Sequence, residues 1–223
     1  MKHGRKQKNL GTFRFISAEG FFHTRSRTRY LLRLLIGFEL MNIVSTLLTI
    51  ALPNENVMLI FSMFGSLFFT VLYLILVDML LGGIREKRPG KVMLALLLMA
   101  LPLVYGFVTV LGLQSETNTL PPWAILVLFK FIPNLLAVEG SFLWPLLGVL
   151  FCILRKNRFL RIIPLVVFGI LFSVLGSIEG LVIFAAIPVL LYNGQRGRGS
   201  KYFFYIFYPA HIYLFYVVAW FMR

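Results

Sequence analysis

The sequence predicts an all-α fold, a polytopic transmembrane helix bundle with about seven crossings plus one re-entrant or interfacial helix. Of the 223 residues, 59% are hydrophobic and only 13% are charged, whereas water-soluble domains usually carry about 25% charged residues. The apolar residues gather into runs of about 20, the length that crosses a bilayer core of roughly 30 Å. These runs lack the alternation of barrel strands, and lipid offers open amide groups no partner, so the spans are predicted to be helices.

The first three crossings are predicted at residues 31–52, 57–81 and 93–113. Pro53 ends the first run, and a Gly-Gly pair followed by a basic cluster ends the second. Because each run is apolar throughout and bounded by polar or helix-breaking residues, each is expected to cross the membrane once.

The stretch 123–154 is too long for one ordinary helix and too short for two. It starts on the outer side and ends at a basic, cytoplasmic cluster, which requires an odd number of crossings. We therefore expect a re-entrant or interfacial segment at 123–136 and a span at 137–154. Three further spans are predicted at 162–175, 178–192 and 202–222.

The formal net charge of +14 would suit a nucleic-acid-binding protein, but the positions of the basic residues argue against one. They cluster beside apolar runs, at residues 1–33, 85–91, 155–161 and 196–201. The turns at 53–56 and 114–118 contain no Lys or Arg. Cytoplasmic loops retain positive charge, and anionic head groups of membrane lipids attract it. The sequence therefore predicts a cytoplasmic N-terminus, membrane lipids as partners and no nucleic-acid partner.

Two regions are predicted: a basic cytoplasmic N-terminal segment at 1–30 with a truncated helix, and a transmembrane helical domain at 31–223. The single cysteine, Cys152, excludes a disulfide within one chain, and no paired-cysteine metal motif is present. We expect no metal site.

Ionisable residues inside apolar runs are candidate functional residues, because burying them in hydrocarbon costs several kcal/mol. Glu39 lies within the first run, where it is either shielded by Asn42 and Ser45 or paired with an Arg or His of another helix. His211 follows Pro209 in the last, aromatic run. A proline inside a helix frees a backbone carbonyl, so His211 is either a structural partner of that carbonyl or a catalytic residue.

A second polar group precedes the first span. Glu19, His23, Arg25 and Arg27 bring a carboxylate, an imidazole and two guanidiniums together within nine positions, 19–27. Histidine is the side chain that most readily moves protons near neutral pH.

The segment 19–27, with Tyr30 and the leucine-rich run after it, resembles the early signature of the TraX family of conjugal-transfer membrane proteins. The stretch 190–211, with its Leu-Leu-Tyr-Asn-Gly start and its basic and aromatic residues, resembles the closing signature of that family, and 139–146 resembles its middle. The resemblance implies an integral membrane acyltransferase of the bacterial inner membrane. It implies N-acetylation of a pilin or another envelope acceptor, with acetyl-CoA as cosubstrate.

The resemblance also gives the candidate residues their roles. Acyl transfer to an amine needs a base and donors that stabilise the oxyanion. His23 or His211 is the candidate base, and Glu19 or Glu39 would orient the imidazole. Three arginines are candidates for holding the phosphates of coenzyme A: Arg25, Arg27 and Arg29.

Members of the family usually begin with an additional apolar helix that carries an Asp-His pair and with a complete second helix. This chain has neither, and its second helix is a stub at 13–22. If that pair is catalytic in the family, the chain is expected to be inactive, so the sequence leaves enzyme activity open. The alternative is a non-catalytic membrane assembly factor for conjugation or envelope machinery. A transporter is disfavoured because no internal repeat is present.

Overall fold

A computed structural model describes residues 26–54, 57, 59, 63–114, 121, 124, 127–138, 142–154, 160, 162–176, 178–187 and 203–222. Its α-helices are α1 (Arg27–Ala51), α2 (Met63–Arg85), α3 (Pro89–Gln114), α4 (Leu143–Ile153), α5 (Ile162–Val174) and α6 (Phe203–Phe221). A π-helical turn covers Val127–Phe131 and a 3-10 helix covers Ile178–Ala185. These described ranges contain no β-strand, which confirms the all-α membrane bundle.

Among the described residues, three helices are long and apolar enough to cross a bilayer: α1, α2 and α3. They contain 25, 23 and 26 residues, which correspond to about 37, 34 and 39 Å at 1.5 Å per residue. These lengths exceed the roughly 30 Å of a bilayer core, so the first three predicted spans are confirmed as membrane-length helices. Two shorter apolar helices, α5 and α6, coincide with two further predicted spans. The number of crossings and their orientation remain predictions.

In the described part of the span expected at 137–154, an α-helix covers Leu143–Ile153, which is 11 residues or about 16 Å. Before it, Ala137 and Val138 both donate their N–H groups to the carbonyl of Asn134 and so form a turn. The crossing itself remains a prediction. The described part of 178–192 is largely a 3-10 helix.

The described residues form two compact units. One contains α1, α2, α3, the π-helical turn and α6. The other contains α5 and the 3-10 helix, which pack so closely that a Cβ on Gly169 would lie 2.6 Å from Cβ of Ile183. Only the first unit contains described candidate residues.

The N-terminus of α1 is fixed by two local contacts. The Ser26 hydroxyl oxygen accepts a hydrogen bond from the N–H of Arg29 at 3.4 Å, which satisfies one open donor of the first turn. The Arg27 guanidinium donates to the Asp78 carboxylate on α2 at 2.6 Å. These contacts explain why α1 begins at Arg27, earlier than the apolar run.

The turn between α2 and α3 is a Schellman motif. Arg88 donates its N–H to the carbonyl of Gly83 at 2.9 Å, and Lys87 donates to Ile84 at 3.2 Å. Lys87 has a φ of 54°, in the left-handed region where a glycine is usual. A lysine here costs roughly 1–2 kcal/mol relative to a right-handed conformation.

Small residues allow α1 and α2 to approach closely. A Cβ on Gly37 would lie 3.3 Å from the Phe64 ring. A Cβ on Gly65 would lie 3.1 Å from the Phe38 ring and 2.6 Å from Val138. Phe69, Leu135 and Val138 then form a buried cluster beside this contact. The residues after the π-helical turn are thereby packed against α2.

We expect Gly65→Ala to lower the free energy of unfolding by about 1–3 kcal/mol, because the added methyl group overpacks the contact with Phe38 and Val138. Gly112→Ala is the matched control within a helix, since no atom lies within 4 Å of its added Cβ. It is expected to be neutral or to stabilise the protein by up to about 1 kcal/mol. Denaturant unfolding in detergent measures the free energy of unfolding of both variants. Equal values for the two would contradict the close contact at Gly65.

Candidate functional site

Helix α6 contributes a row of tyrosines to the first unit. The Tyr213 hydroxyl donates to the carbonyl of Met41 at 2.9 Å and lies 3.4 Å from the hydroxyl of Ser45. The Tyr216 hydroxyl donates to the carbonyl of Leu52 at 2.7 Å, and its side chain is only 1% exposed. These bonds place α6 alongside α1.

Tyrosine hydroxyls also satisfy backbone groups at the break between α1 and α2. The carbonyl of Leu52 follows the last turn of α1, and the N–H of Met63 begins α2. Tyr216 donates to the first group, and the Tyr208 oxygen accepts from the second at 3.1 Å. Helix ends leave such groups open, and leaving one unpaired in lipid costs several kcal/mol. Both tyrosines therefore have a structural role.

His211 lies on α6 within a group of aromatic rings. Its ring stacks on Phe207 at a centroid distance of 5.1 Å, and it meets Tyr208 and Phe215 edge-on at 5.6 and 6.2 Å. Its Nδ1 lies 2.8 Å from the Phe207 carbonyl oxygen. His211 therefore bonds a backbone carbonyl, although not the one that the sequence predicted. The carbonyl left without its helical N–H by Pro209 is that of Tyr205, four residues earlier, so the bond is made to a different group.

The contact with Phe207 assigns the tautomer of His211. A carbonyl oxygen only accepts hydrogen bonds, so Nδ1 carries a proton, and in the neutral ring the lone pair is then on Nε2. No residue in the described ranges forms a hydrogen bond with Nε2. The side chain is thus held by a structural bond while its second nitrogen has the electronic state that a general base requires.

Glu39 is half-buried on α1. The expected shielding by Asn42 and Ser45 does not take the form of hydrogen bonds, because the Asn42 amide donates to the Lys130 carbonyl at 2.5 Å and Ser45 meets Tyr213. Within the described part of the chain, Glu39 forms no hydrogen bond or ion pair. The structure therefore does not bring Glu39 into contact with His211.

Arg27 and Arg29 lie in the first turn of α1 with exposed side chains. The ion pair of Arg27 with Asp78 joins side chains that are 50% and 48% exposed, so it contributes at most about 1 kcal/mol to stability. Three candidates, Glu19, His23 and Arg25, lie outside the described residues. Their roles stay predictions.

The sequence analysis did not single out a buried polar centre around Asn134. This side chain is 1% exposed, donates to the Thr109 hydroxyl at 2.6 Å and accepts from the N–H of Leu136 at 2.9 Å. Nearby, the Tyr105 hydroxyl donates to the Leu128 carbonyl at 2.6 Å. These bonds connect α3 to the non-helical backbone around the π-helical turn. The Pro-Asn pair inside an apolar run was the available sequence signal.

No group of three or more His, Cys, Asp or Glu side chains suited to a metal ion occurs among the described residues. The described part of α6 offers an imidazole, phenols and backbone groups.

We expect Asn134→Leu to lower the free energy of unfolding by about 1–3 kcal/mol, because the buried bonds of Asn134 with Thr109 and Leu136 are lost. Thr109→Val leaves the buried amide N–H of Asn134 without its acceptor and keeps the bond to Leu136 in place. It is expected to lower the free energy of unfolding by a similar amount. Unfolding in detergent measures both, and wild-type stability of Asn134→Leu would show that the network is not needed.

The chain matches the TraX protein family over residues 63–219, a range that contains His211 and Asn134. It is 27% identical over 204 residues to a probable fimbrial assembly protein FimC, serogroup H1, of Dichelobacter nodosus, and the match covers 89% of this chain and 74% of that protein. No solved structure matches the chain. Since the family match extends over more than half of its length, this chain belongs to the TraX family of membrane proteins.

Proposed function

We propose that this protein is an acyltransferase of the bacterial inner membrane that acetylates the N-terminal amine of a pilin or fimbrial subunit, with acetyl-CoA as the acyl donor. Membership of the TraX family supports the reaction class, and the fimbrial assembly protein among its relatives supports a fimbrial acceptor. The observation that carries the proposal is the contact of His211 Nδ1 with a backbone carbonyl.

In the proposed reaction, His211 acts as the general base. Its Nε2 accepts a proton from the attacking amine as the nitrogen bonds to the thioester carbonyl carbon. The C–S bond then breaks, and the imidazolium returns the proton to the departing thiolate of coenzyme A. The Phe207 carbonyl accepts a hydrogen bond from Nδ1–H throughout, which stabilises the charged ring during the transfer. No carboxylate is needed to orient the ring in this arrangement.

The arginines at the start of α1 are proposed to bind the phosphates of coenzyme A. Arg29 has an exposed side chain, and the side chain of Arg27 is half-exposed beside Asp78. Arg25 precedes them by two positions and is proposed to share this role. His23, with Glu19 as its orienting carboxylate, is the second candidate for the base.

The second candidate function is that of a non-catalytic assembly factor, which the similarity to a fimbrial assembly protein favours. In that role, His211 would serve only as a structural partner of Phe207. An assembly factor would hold a hydrophobic subunit against the bundle without forming a covalent product.

Acyl transfer by the full-length protein in nanodiscs tests the proposal. The acyl donor is acetyl-CoA labelled in the acetyl group, and the acceptor is an envelope extract that contains fimbrial subunits. Wild-type protein is expected to label a subunit at its N-terminal amine. His211→Ala is expected to lower the rate by about 10²–10⁴-fold, the usual contribution of a general base. His3→Ala is the matched control and is expected to retain the wild-type rate.

The thermal midpoint of each variant shows whether a lost rate reflects lost structure. Loss of transfer in a His211→Ala protein with the wild-type midpoint supports the proposed base. Full activity of His211→Ala together with loss in His23→Ala would move the role to His23. No transfer by well-folded wild-type protein would overturn the enzymatic proposal and favour the assembly factor.

A further inference from the structure

An open groove of about 520 Å³ lies where α2 meets α3. Its wall is apolar and includes Ile84, Val92 and Leu96, while Lys87 and Arg88 line its end at the turn. Ile84 is 58% exposed and Leu96 is 52% exposed, so the wall is continuous with the apolar surface of two membrane-length helices. One end of the groove is therefore basic and the rest is apolar.

The turn beside the groove has a strong positive balance. Arg85, Lys87, Arg88 and Lys91 surround a single acidic residue, Glu86. The Glu86 carboxylate accepts from the Lys91 ammonium at 3.3 Å and lies 3.6 Å from Nε of Arg88. Lys87 forms no ion pair with any residue in the described ranges. Its ammonium is available to an anion at the groove.

The backbone of Lys87 supplies a second, independent observation. Its φ of 54° is the left-handed conformation that glycine adopts most easily at this position of a Schellman motif. A strained residue that persists where glycine would fit better suggests that its side chain has a use. Replacing Lys87 with glycine would therefore relax the turn, and it would also remove the unpaired ammonium from the groove.

We propose that this groove binds one anionic phospholipid. The phosphate lies between Lys87 and Arg88, and an acyl chain follows the wall formed by Val92 and Leu96. A phospholipid has the required arrangement, an anionic end joined to a long apolar chain, and membrane proteins bind such head groups through basic pockets at helix ends. The N-terminus of α3 begins at this turn and adds the favourable end of its helix dipole.

Native mass spectrometry of the full-length protein in detergent tests the proposal. The protein is titrated with dioleoyl phosphatidylglycerol, which is anionic, and with dioleoyl phosphatidylcholine, which is zwitterionic. We expect at least about tenfold tighter binding of phosphatidylglycerol, since each nearby basic residue contributes about fivefold. Lys87→Gly is expected to weaken that binding about fivefold, and Lys87→Gly with Arg88→Gln about 25-fold.

The variants separate binding from folding. Lys87→Gly places glycine in its preferred conformation, so the variant is expected to fold at least as well as the wild type, and Lys87→Arg is expected to restore binding. Arg155→Gln with Lys156→Gln removes two charges from another basic cluster and is expected to bind as the wild type does. Leu96→Trp fills the apolar wall and is expected to weaken binding through the acyl chain.

Four outcomes would overturn the proposal. The first is equal affinity for the two lipids, and the second is wild-type affinity of the variant with Lys87→Gly and Arg88→Gln. The third is an equal loss of affinity in the control variant with Arg155→Gln and Lys156→Gln. The fourth is displacement of bound phosphatidylglycerol by millimolar inorganic phosphate. The last result would identify a site for a free phosphate group in place of a lipid.

Discussion

The absence of hydrogen-bond partners in lipid is the constraint on which the rest of this structure depends. Along α1, α2 and α3 the helical backbone satisfies its own N–H and C=O groups. Where the helices stop, side chains bond the open backbone groups. Tyr216 and Tyr208 satisfy groups at the break between α1 and α2. Asn42 and Tyr105 bond the backbone of the π-helical turn. In these places polar side chains therefore provide the partners that a helical backbone would provide itself.

This difference between helical and non-helical backbone explains which features the sequence predicts and which it does not. Hydropathy is a local property, so the class of the protein and the three long helices follow from it. The start of α1 does not, because contacts with Ser26 and Asp78 fix it at Arg27 and not at residue 31. Asn134 and the tyrosines of α6 act through partners distant in the sequence. Tyr213, for example, contacts Met41 across 172 positions. A single sequence gives no information on which faces of two apolar helices meet, so these partners were not predictable.

The candidate site also combines a feature that is local in the sequence with one that depends on packing between helices. The bond of His211 to Phe207 spans four residues on one helix, whereas the sequence predicted a bond to the carbonyl freed by Pro209. An orienting carboxylate depended on packing between helices, and the structure provides none from Glu39. The described part of the site therefore consists of an imidazole whose tautomer is set by the backbone and whose surroundings are aromatic. Such a residue serves either as a base or as a structural partner, and the acyl-transfer rate of the His211→Ala variant separates the two roles.

The nitrogen-15 NMR spectrum of His211 tests this account most directly. Protein labelled at histidine nitrogens, with His3→Gln and His23→Gln substitutions to leave one ring, is measured in nanodiscs at a pH where the ring is neutral. The account predicts a protonated Nδ1 and an unprotonated Nε2, with Phe207 as the acceptor of the Nδ1 proton. A neutral ring protonated at Nε2 would contradict it, because His211 would then neither bond the Phe207 carbonyl nor present a basic nitrogen to a substrate.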